Sequence, residues 1–133
     1  MDTQIDLVIF GARGDLANRK LFPALFWLDH ARLLADSVRI AAVARDDIDT
    51  SEFIKQTAKT LEPILANASS SEITWDRFSQ RFDYIKIDFA EAKQYATLAE
   101  WRNPDRTMIY YLATPPTLFG SISQYLHRAD CLN

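Results

Sequence analysis

The sequence lacks the features that mark secreted, membrane-spanning or nucleic-acid-binding proteins. It has a single cysteine, Cys131, so no disulfide can form within the chain. No apolar run approaches the roughly 18 residues needed to cross a bilayer, and we predict no membrane span. The acidic, polar segment Met1 to Asp6 is unlike a secretory signal, and the net charge of -3 disfavours a nucleic-acid partner. Together these absences favour the cytoplasm.

Length and composition are those of one ordinary globular domain. The chain has 133 residues, 48% hydrophobic and 25% charged, which is enough to bury a substantial core. Short apolar runs alternate with helical patterns, without a repeat or a linker. This alternation predicts an α/β fold with a parallel sheet and flanking helices. The predicted strands cover 5–10, 38–44, 82–88 and 107–113, and the predicted helices 15–31, 51–65, 74–81, 90–101 and 117–128.

Two of the predicted helices contain a proline. Pro23 lacks an N–H donor and is expected to bend or weaken the first helix, and Pro63 to disturb the last turn of the second. Asp49 and Glu52 have the spacing of a capping box at the start of the second helix. Four residues are expected near the apolar face of the first helix, flanked by Phe22 and Phe26: Ala17, Leu21, Leu25 and Leu28.

A glycine-containing turn joins the first strand to the first helix. It reads Gly11-Ala12-Arg13-Gly14-Asp15-Leu16-Ala17. Gly11 suits a tight turn, Gly14 lets the backbone approach a pyrophosphate, and Ala17 permits close packing of helix on strand. Free N–H groups at the helix start favour an anion there. A plain tight turn is the alternative, but the flanking strand and helix favour a phosphate site.

Three basic residues lie in or just after this turn. Arg13 and Arg19 either add positive charge to the phosphate site or belong to the solvated surface, and Lys20 adds charge there if it faces the cleft. The stem of Lys20 could instead cover apolar surface.

The end of the second strand bears on the choice of coenzyme. In this kind of fold an acidic residue there binds the ribose of NAD, whereas an arginine accommodates the 2′-phosphate of NADP. Arg45 is the first residue after the predicted strand, and its planar guanidinium suits a phosphate. We therefore favour NADP. Asp46 and Asp47 follow. Either could bind a 2′-hydroxyl or repel a 2′-phosphate, or both could simply belong to the polar loop.

The fourth strand ends at a stiff corner. Ala113 is followed by Thr114, and then Pro115 and Pro116 fix their φ angles and remove two donors. A nicotinamide or its ribose could lie beside this corner, or the prolines could merely stop the strand.

Three segments together resemble one known family. They read Gly11-Ala12-Arg13-Gly14-Asp15-Leu16-Ala17-Asn18-Arg19-Lys20-Leu21, then Arg45, then Tyr111-Leu112-Ala113-Thr114-Pro115-Pro116-Thr117-Leu118-Phe119. The run from Gly14 to Ala17, followed by Lys20, is the most specific part. In order and separation the segments are similar to the amino-terminal coenzyme domain of glucose-6-phosphate dehydrogenases. The resemblance implies a Rossmann-like parallel sheet over residues 1–133, incomplete at about four strands.

The resemblance also implies a reaction and a set of roles. Members of the family oxidise glucose 6-phosphate to 6-phosphogluconolactone with NADP as hydride acceptor, which opens the oxidative pentose phosphate pathway. By this resemblance, Gly11 to Ala17 hold the coenzyme pyrophosphate, Arg45 holds the 2′-phosphate, and Lys20 lies between coenzyme and substrate. Ala113 to Pro116 line the nicotinamide side, and Asp88 approaches the adenine.

The catalytic segments of that family are absent from the sequence. Neither its Glu-Lys-Pro-x-Gly segment nor its Arg-Ile-Asp-His-Tyr-Leu-Gly-Lys segment, which carries the histidine base, occurs here. We interpret His30 and His127 as surface or helix-end residues and assign no catalytic residue and no metal ligand. Because a general base contributes about 10²–10⁴ in rate, we predict that the chain alone does not turn over glucose 6-phosphate.

The early end of the chain leaves several alternatives open. A truncation product, a fragment or a degenerate gene would each explain it, and a non-catalytic NADP-binding module is the alternative function. If the fourth strand is the last, it lies at an open edge where Tyr110, Tyr111 and Leu112 expose apolar surface. Dimerisation to a homo-oligomer, aggregation or a missing segment would cover that edge.

Overall fold

The computed structural model describes residues 4–132, which contain one sheet of four parallel strands. The strands are β1 (Ile5–Phe10), β2 (Arg39–Ala44), β3 (Phe82–Lys86) and β4 (Thr107–Leu112), in the spatial order β3-β2-β1-β4. In register, Ile9 lies between Ala42 of β2 and Tyr111 of β4. The predicted α/β fold with a parallel sheet is confirmed. Residues 1–3, used above in excluding a secretory signal, lie outside the described residues, as does residue 133.

Helices cover both faces of the sheet. They are α1 (Phe22–His30), α2 (Thr50–Thr60), α3 (Glu62–Asn67), α4 (Ser71–Ser79), α5 (Ala96–Trp101) and α6 (Phe119–Arg128). Short 3₁₀ turns, Ala92–Tyr95 and Pro116–Leu118, precede α5 and α6. The predicted helix over 90–101 therefore begins six residues before regular α-helix, and the predicted helix over 117–128 begins two residues before it. Within residues 4–132, no helix has the length and apolar character that a bilayer crossing requires.

The core consists of two layers, one on each face of the sheet. Ile9 faces the first layer, which contains the aromatic side chains of α1, α2 and α4: Phe22, Phe26, Phe53 and Phe78. Val8 and Phe10 face the second, which contains residues of the last two helices and the turn before them: Tyr95, Leu98, Ile122 and Leu126. Burial on both faces explains why β1 reads as an almost continuous apolar run.

Asp6 is the polar exception in β1, and it is fully buried. Its carboxylate accepts hydrogen bonds from Nε of Arg39 at 2.8 Å and Nε of Arg106 at 2.6 Å. Burial raises the pKa of Asp6, but hydrogen bonds from the two arginines outweigh it and hold the pKa below its ordinary value of 3.8. This ion-pair network ties together β1, β2 and the turn before β4 at the amino-terminal edge of the sheet.

The predicted apolar face of the first helix is partly wrong. Helical backbone begins at Asp15, but residues Ala17–Leu21 form a wide π turn in which the amide of Phe22 donates to the carbonyl of Ala17. The extra residue rotates the following face by about 100°. Leu28 is consequently 41% exposed. The buried face of α1 consists of Phe22, Leu25, Phe26 and Asp29. The π turn ends at Leu21, two residues before Pro23, which has no N–H to lose in the first turn of α1.

The second predicted helix is two helices. α2 ends at Thr60, and Pro63 lies in the first turn of α3 rather than at the end of one long helix. Half of the predicted capping box is present, because Asp49 accepts a hydrogen bond from the amide of Glu52 at 2.8 Å.

β4 forms one edge of the sheet, as predicted. The side chains differ from the expectation, however. Tyr110 and Leu112 are half-buried against the second core layer, whereas Ile109 and Tyr111 point to the other face and are 46% and 39% exposed. Alternation along a strand explains the split, because neighbouring side chains point to opposite faces.

Candidate functional site

The turn after β1 requires glycine at its first position. Gly11 has a φ of +86°, and a Cβ there would lie 2.4 Å from the carbonyl oxygen of Ala113. The amides of Gly11 and Ala12 both donate to the carbonyl of Val43, at 3.0 and 3.2 Å. β1 is thus fastened at its carboxyl end to both neighbouring strands, and no larger residue fits at position 11.

Three amides at the start of the following helix remain available to a ligand. The amide of Gly14 donates to the carbonyl of Gly11 at 2.9 Å. Asp15, Leu16 and Ala17 are the first helical residues, and no carbonyl within residues 4–132 accepts from their amides. Of the predicted turn, Gly11, Ala12 and Gly14 therefore shape the backbone, whereas Asp15, Leu16 and Ala17 offer amide donors at the helix start.

The residues of the predicted turn differ in burial. Ala12 and Ala17 are fully buried and pack beneath the turn, so neither side chain can reach a ligand. Gly14 is half-exposed, and its φ lies outside the left-handed region. Leu16 is 44% exposed. A group approaching the helix start would consequently meet backbone and the bare Cα of Gly14.

A cleft of about 490 Å³ opens beside the turn, at the carboxyl edge of the sheet. This is the position at which ligands bind in open α/β sheets. Ten residues line the cleft: Gly11, Arg13, Gly14, Ala44, Arg45, Asp46, Asp88, Phe89, Ala90 and Leu118. The ends of β1, β2 and β3 thus bring together five of the predicted site residues. The strand-end rule alone would have indicated Phe89 and Ala90. Leu118 belongs to the third segment of the family resemblance, but no role at the site was predicted for it.

Charges of both signs line the cleft. Nε of Arg13 lies 3.2 Å from Oδ2 of Asp46, and Arg45 is exposed with no hydrogen bond or ion pair to any residue between 4 and 132. The hydroxyl of Tyr84 donates to the backbone carbonyl of Asp46 at 2.8 Å. Burial, and then the charge of Asp46, raises the pKa of Tyr84 to about 12, so the hydroxyl stays a donor. Arg45 is the charge left open to a ligand.

Asp88 lies at the end of β3 and organises the turn that follows. Its Oδ1 accepts from the amide of Ala90 at 3.0 Å, its carbonyl accepts from the amide of Glu91 at 2.9 Å, and its own amide donates to Gln94 at 2.6 Å. The carboxylate is half-buried at the wall of the cleft. Its structural role is to hold the loop over that wall.

The remaining predicted residues lie outside the cleft. Ala113 is 8% exposed, with its carbonyl against Gly11. Pro115 and Pro116 are exposed where the 3₁₀ turn to Leu118 begins. Lys20 is exposed on the π turn and does not line the cleft.

The other basic and metal-binding residue types do not converge on the site. Arg19 pairs with Asp15 at 3.1 Å on the exposed surface. His30 ends α1, with Nδ1 2.7 Å from Oγ1 of Thr74, and His127 is exposed on α6. In the described part of the chain, no three His, Cys, Asp or Glu side chains are grouped so as to hold a metal ion.

A parallel sheet, a glycine turn with an open helix start and a charged cleft at the carboxyl edge define a nucleotide-binding α/β domain. Residues 8–133 match the family model described as glucose-6-phosphate dehydrogenase, NAD binding domain. The chain belongs to this family, and the resemblance found in its sequence is confirmed. The family is that of an oxidoreductase, and its coenzyme class is the pyridine nucleotides.

Curated relatives and solved structures agree with the family. The chain is 38% identical over 127 residues to glucose-6-phosphate 1-dehydrogenase of Dickeya dadantii and 35% identical over 131 residues to that of Gluconobacter oxydans. These alignments cover 93% and 96% of this chain but 25% and 27% of the relatives. The crystal structure of the Mycobacterium avium enzyme superimposes with a TM-score of 0.89 at 32% identity, over 100% of this chain and 28% of that one. The chain thus spans about a quarter of the length of these relatives.

Proposed function

We propose that this chain is the NADP-binding domain of a glucose-6-phosphate dehydrogenase. One observation carries the proposal: within residues 4–132, no backbone carbonyl accepts from the amides of Asp15, Leu16 and Ala17, which lie beside Gly14 at the mouth of a cleft that also contains Arg45. The partial positive charge of a helix start favours a diphosphate. The guanidinium of Arg45 pairs with no residue in the described part of the chain and suits the 2′-phosphate of NADP.

The cleft gives each part of the coenzyme a neighbour. The pyrophosphate would lie against Gly14 and the helix start, and the adenosine would lie in the cleft between Arg45 and Asp88. The nicotinamide would extend toward Ala113 and the exposed proline corner. In this arrangement Lys20, which is exposed and unpaired within residues 4–132, would be available to the substrate rather than to the coenzyme.

The chemistry of the proposed enzyme is oxidation of glucose 6-phosphate to 6-phosphogluconolactone, with the bound nicotinamide accepting the hydride. This chain's own contribution is to bind and orient the coenzyme. Neither His30 nor His127 lies at the cleft, so no histidine of the chain can take the proton from the sugar hydroxyl. We therefore expect no NADPH formation by the 133-residue chain with glucose 6-phosphate, measured by absorbance at saturating coenzyme.

Calorimetric titration with NADP tests the binding proposal through Gly14→Ala. The added Cβ would lie 3.2 Å from the carbonyl oxygen of Gly11, which a small shift relieves, but it would occupy the approach to the helix start. Losing a charge-assisted hydrogen bond to phosphate costs about 1.5–3 kcal/mol. The corresponding loss in affinity is about 10- to 100-fold.

Gly120→Ala is the matched control, because a Cβ at position 120 meets nothing within 4 Å. It should bind NADP like the parent chain, and circular dichroism should show all three proteins folded. Equal NADP affinity of the Gly14→Ala variant and the parent, or no binding by the parent, would contradict the proposal.

A further inference from the structure

We propose that the ion pair between Arg13 and Asp46 sets the choice between NADP and NAD, because Arg13 neutralises the carboxylate that would otherwise reject a 2′-phosphate. The inference rests on the proposed function and concerns the adenosine end of the same cleft. It assigns Arg13 a positioning role that acts through Asp46.

Asp46 occupies the place where an acidic residue selects NAD. It comes two residues after the end of β2 and lines the cleft together with Arg45. In this fold a carboxylate at that place accepts a hydrogen bond from the ribose 2′-hydroxyl. A 2′-phosphate carries about -1.5 to -2 charges near neutral pH, so an unscreened carboxylate there would repel it.

Asp46 is held at two points, one on its side chain and one on its backbone. Its carboxylate lies 3.2 Å from Arg13, and its backbone carbonyl accepts the hydroxyl of Tyr84 at 2.8 Å. Arg13, in the turn after β1, contacts the side chain of Asp46, and Tyr84, in β3, contacts its backbone. Both partners are partly exposed, with 29% of the Arg13 side chain and 42% of the Asp46 side chain accessible. The pair therefore faces a ligand in the cleft.

Asp47 does not share this role. Its side chain is 93% exposed and lies 3.5 Å from Nζ of Lys86, and it does not line the cleft. The charges at the cleft are then two positive, Arg13 and Arg45, and two negative, Asp46 and Asp88. Removing Arg13 would leave an excess of negative charge beside the position proposed for the 2′-phosphate.

The test is calorimetric titration of the full 133-residue chain with NADP and NAD, and the quantity measured is the ratio of the two dissociation constants. Arg13→Gln should reduce the preference for NADP about tenfold, because it leaves the Asp46 carboxylate unscreened beside a phosphate that carries nearly two negative charges. Asp46→Asn should raise the NADP preference, because it removes the repelling carboxylate.

The double variant separates two roles of Arg13. If Arg13 acts through Asp46, Arg13→Gln should have little effect on the coenzyme ratio once Asp46 has been replaced by Asn. If Arg13 instead binds the phosphate directly, Arg13→Gln should weaken the NADP preference as much in the Asp46→Asn background as in the parent, and the proposal is overturned.

Arg19→Gln and Asp47→Asn are the controls for net charge. Each removes an exposed charge of the same sign as one test variant but outside the cleft. A shift in coenzyme preference as large in these controls as in the test variants would overturn the inference. Should the parent chain bind neither coenzyme, the proposed function fails and this inference fails with it. Should both bind with a ratio that Arg13→Gln and Asp46→Asn leave unchanged, only this inference fails.

Discussion

Replacing Gly11 by alanine should damage the fold far more than its single methyl group suggests. Position 11 combines a φ of +86° with a backbone contact: the new Cβ would lie 2.4 Å from the carbonyl oxygen of Ala113 and 2.9 Å from its carbon. Ordinary contacts begin at 3.4 Å. The ends of β1 and β4 would therefore have to separate by about 1 Å.

Two contributions determine how far Gly11→Ala lowers the free energy of unfolding. A left-handed backbone costs a residue with a Cβ about 1–2 kcal/mol. Separation of the ends of β1 and β4 would break the buried backbone hydrogen bond from the amide of Ala113 to the carbonyl of Phe10, which is 2.8 Å long. Such a loss costs about 1–3 kcal/mol. The free energy of unfolding should therefore fall by about 2–5 kcal/mol, and the melting temperature by roughly 8–20 °C.

Urea and thermal denaturation, followed by circular dichroism, measure this change directly. Gly120→Ala is again the reference, because its Cβ meets nothing within 4 Å and alanine favours a helix over glycine. It should lose no stability. If Gly11→Ala unfolds within about 0.5 kcal/mol of the parent, as surface substitutions do, the positive φ and the close strand contact cannot be features of the native chain.

Two further predictions concern the opposite edge of the sheet and its open strand. Asp6→Asn should lower the free energy of unfolding at pH 7 by about 3 kcal/mol, because it leaves the Arg39 and Arg106 guanidinium groups without their buried carboxylate. Since the folded-state pKa of Asp6 lies below 3.8, its stabilisation is present above pH 3.8 and is lost as pH falls through the folded value. Urea titrations of parent and variant should therefore converge in strong acid, and a pH-independent difference would contradict the ion-pair explanation. Ile109→Lys should reduce self-association of the chain in light scattering, since a charge on an exposed edge strand opposes pairing with a second chain. Leu33→Lys, at a residue 74% exposed, is the control and should associate like the parent.

Local pattern was sufficient for most of the secondary structure. The four strands lie within two residues of their predicted bounds, because a strand buried on both faces needs a short apolar run whatever surrounds it. The helices were less predictable where a proline altered hydrogen bonding. The π turn before Pro23 shifted the buried face of α1 away from Leu28, and no 3.6-residue periodicity contains that extra residue.

By itself the sequence determined the kind of protein: alternating strands and helices, and a glycine turn whose residues are adjacent in the chain and so visible as a motif. Only the tertiary structure decided which charged side chains pair with each other. Arg13 and Asp46 are 33 residues apart, and Asp6 and Arg106 are 100 apart. Whether such side chains meet depends on strand order and register, which bring distant positions to one edge of the sheet. Residues that come into contact only in the folded chain produce no periodic pattern in the sequence, so sequence patterns do not predict such pairs.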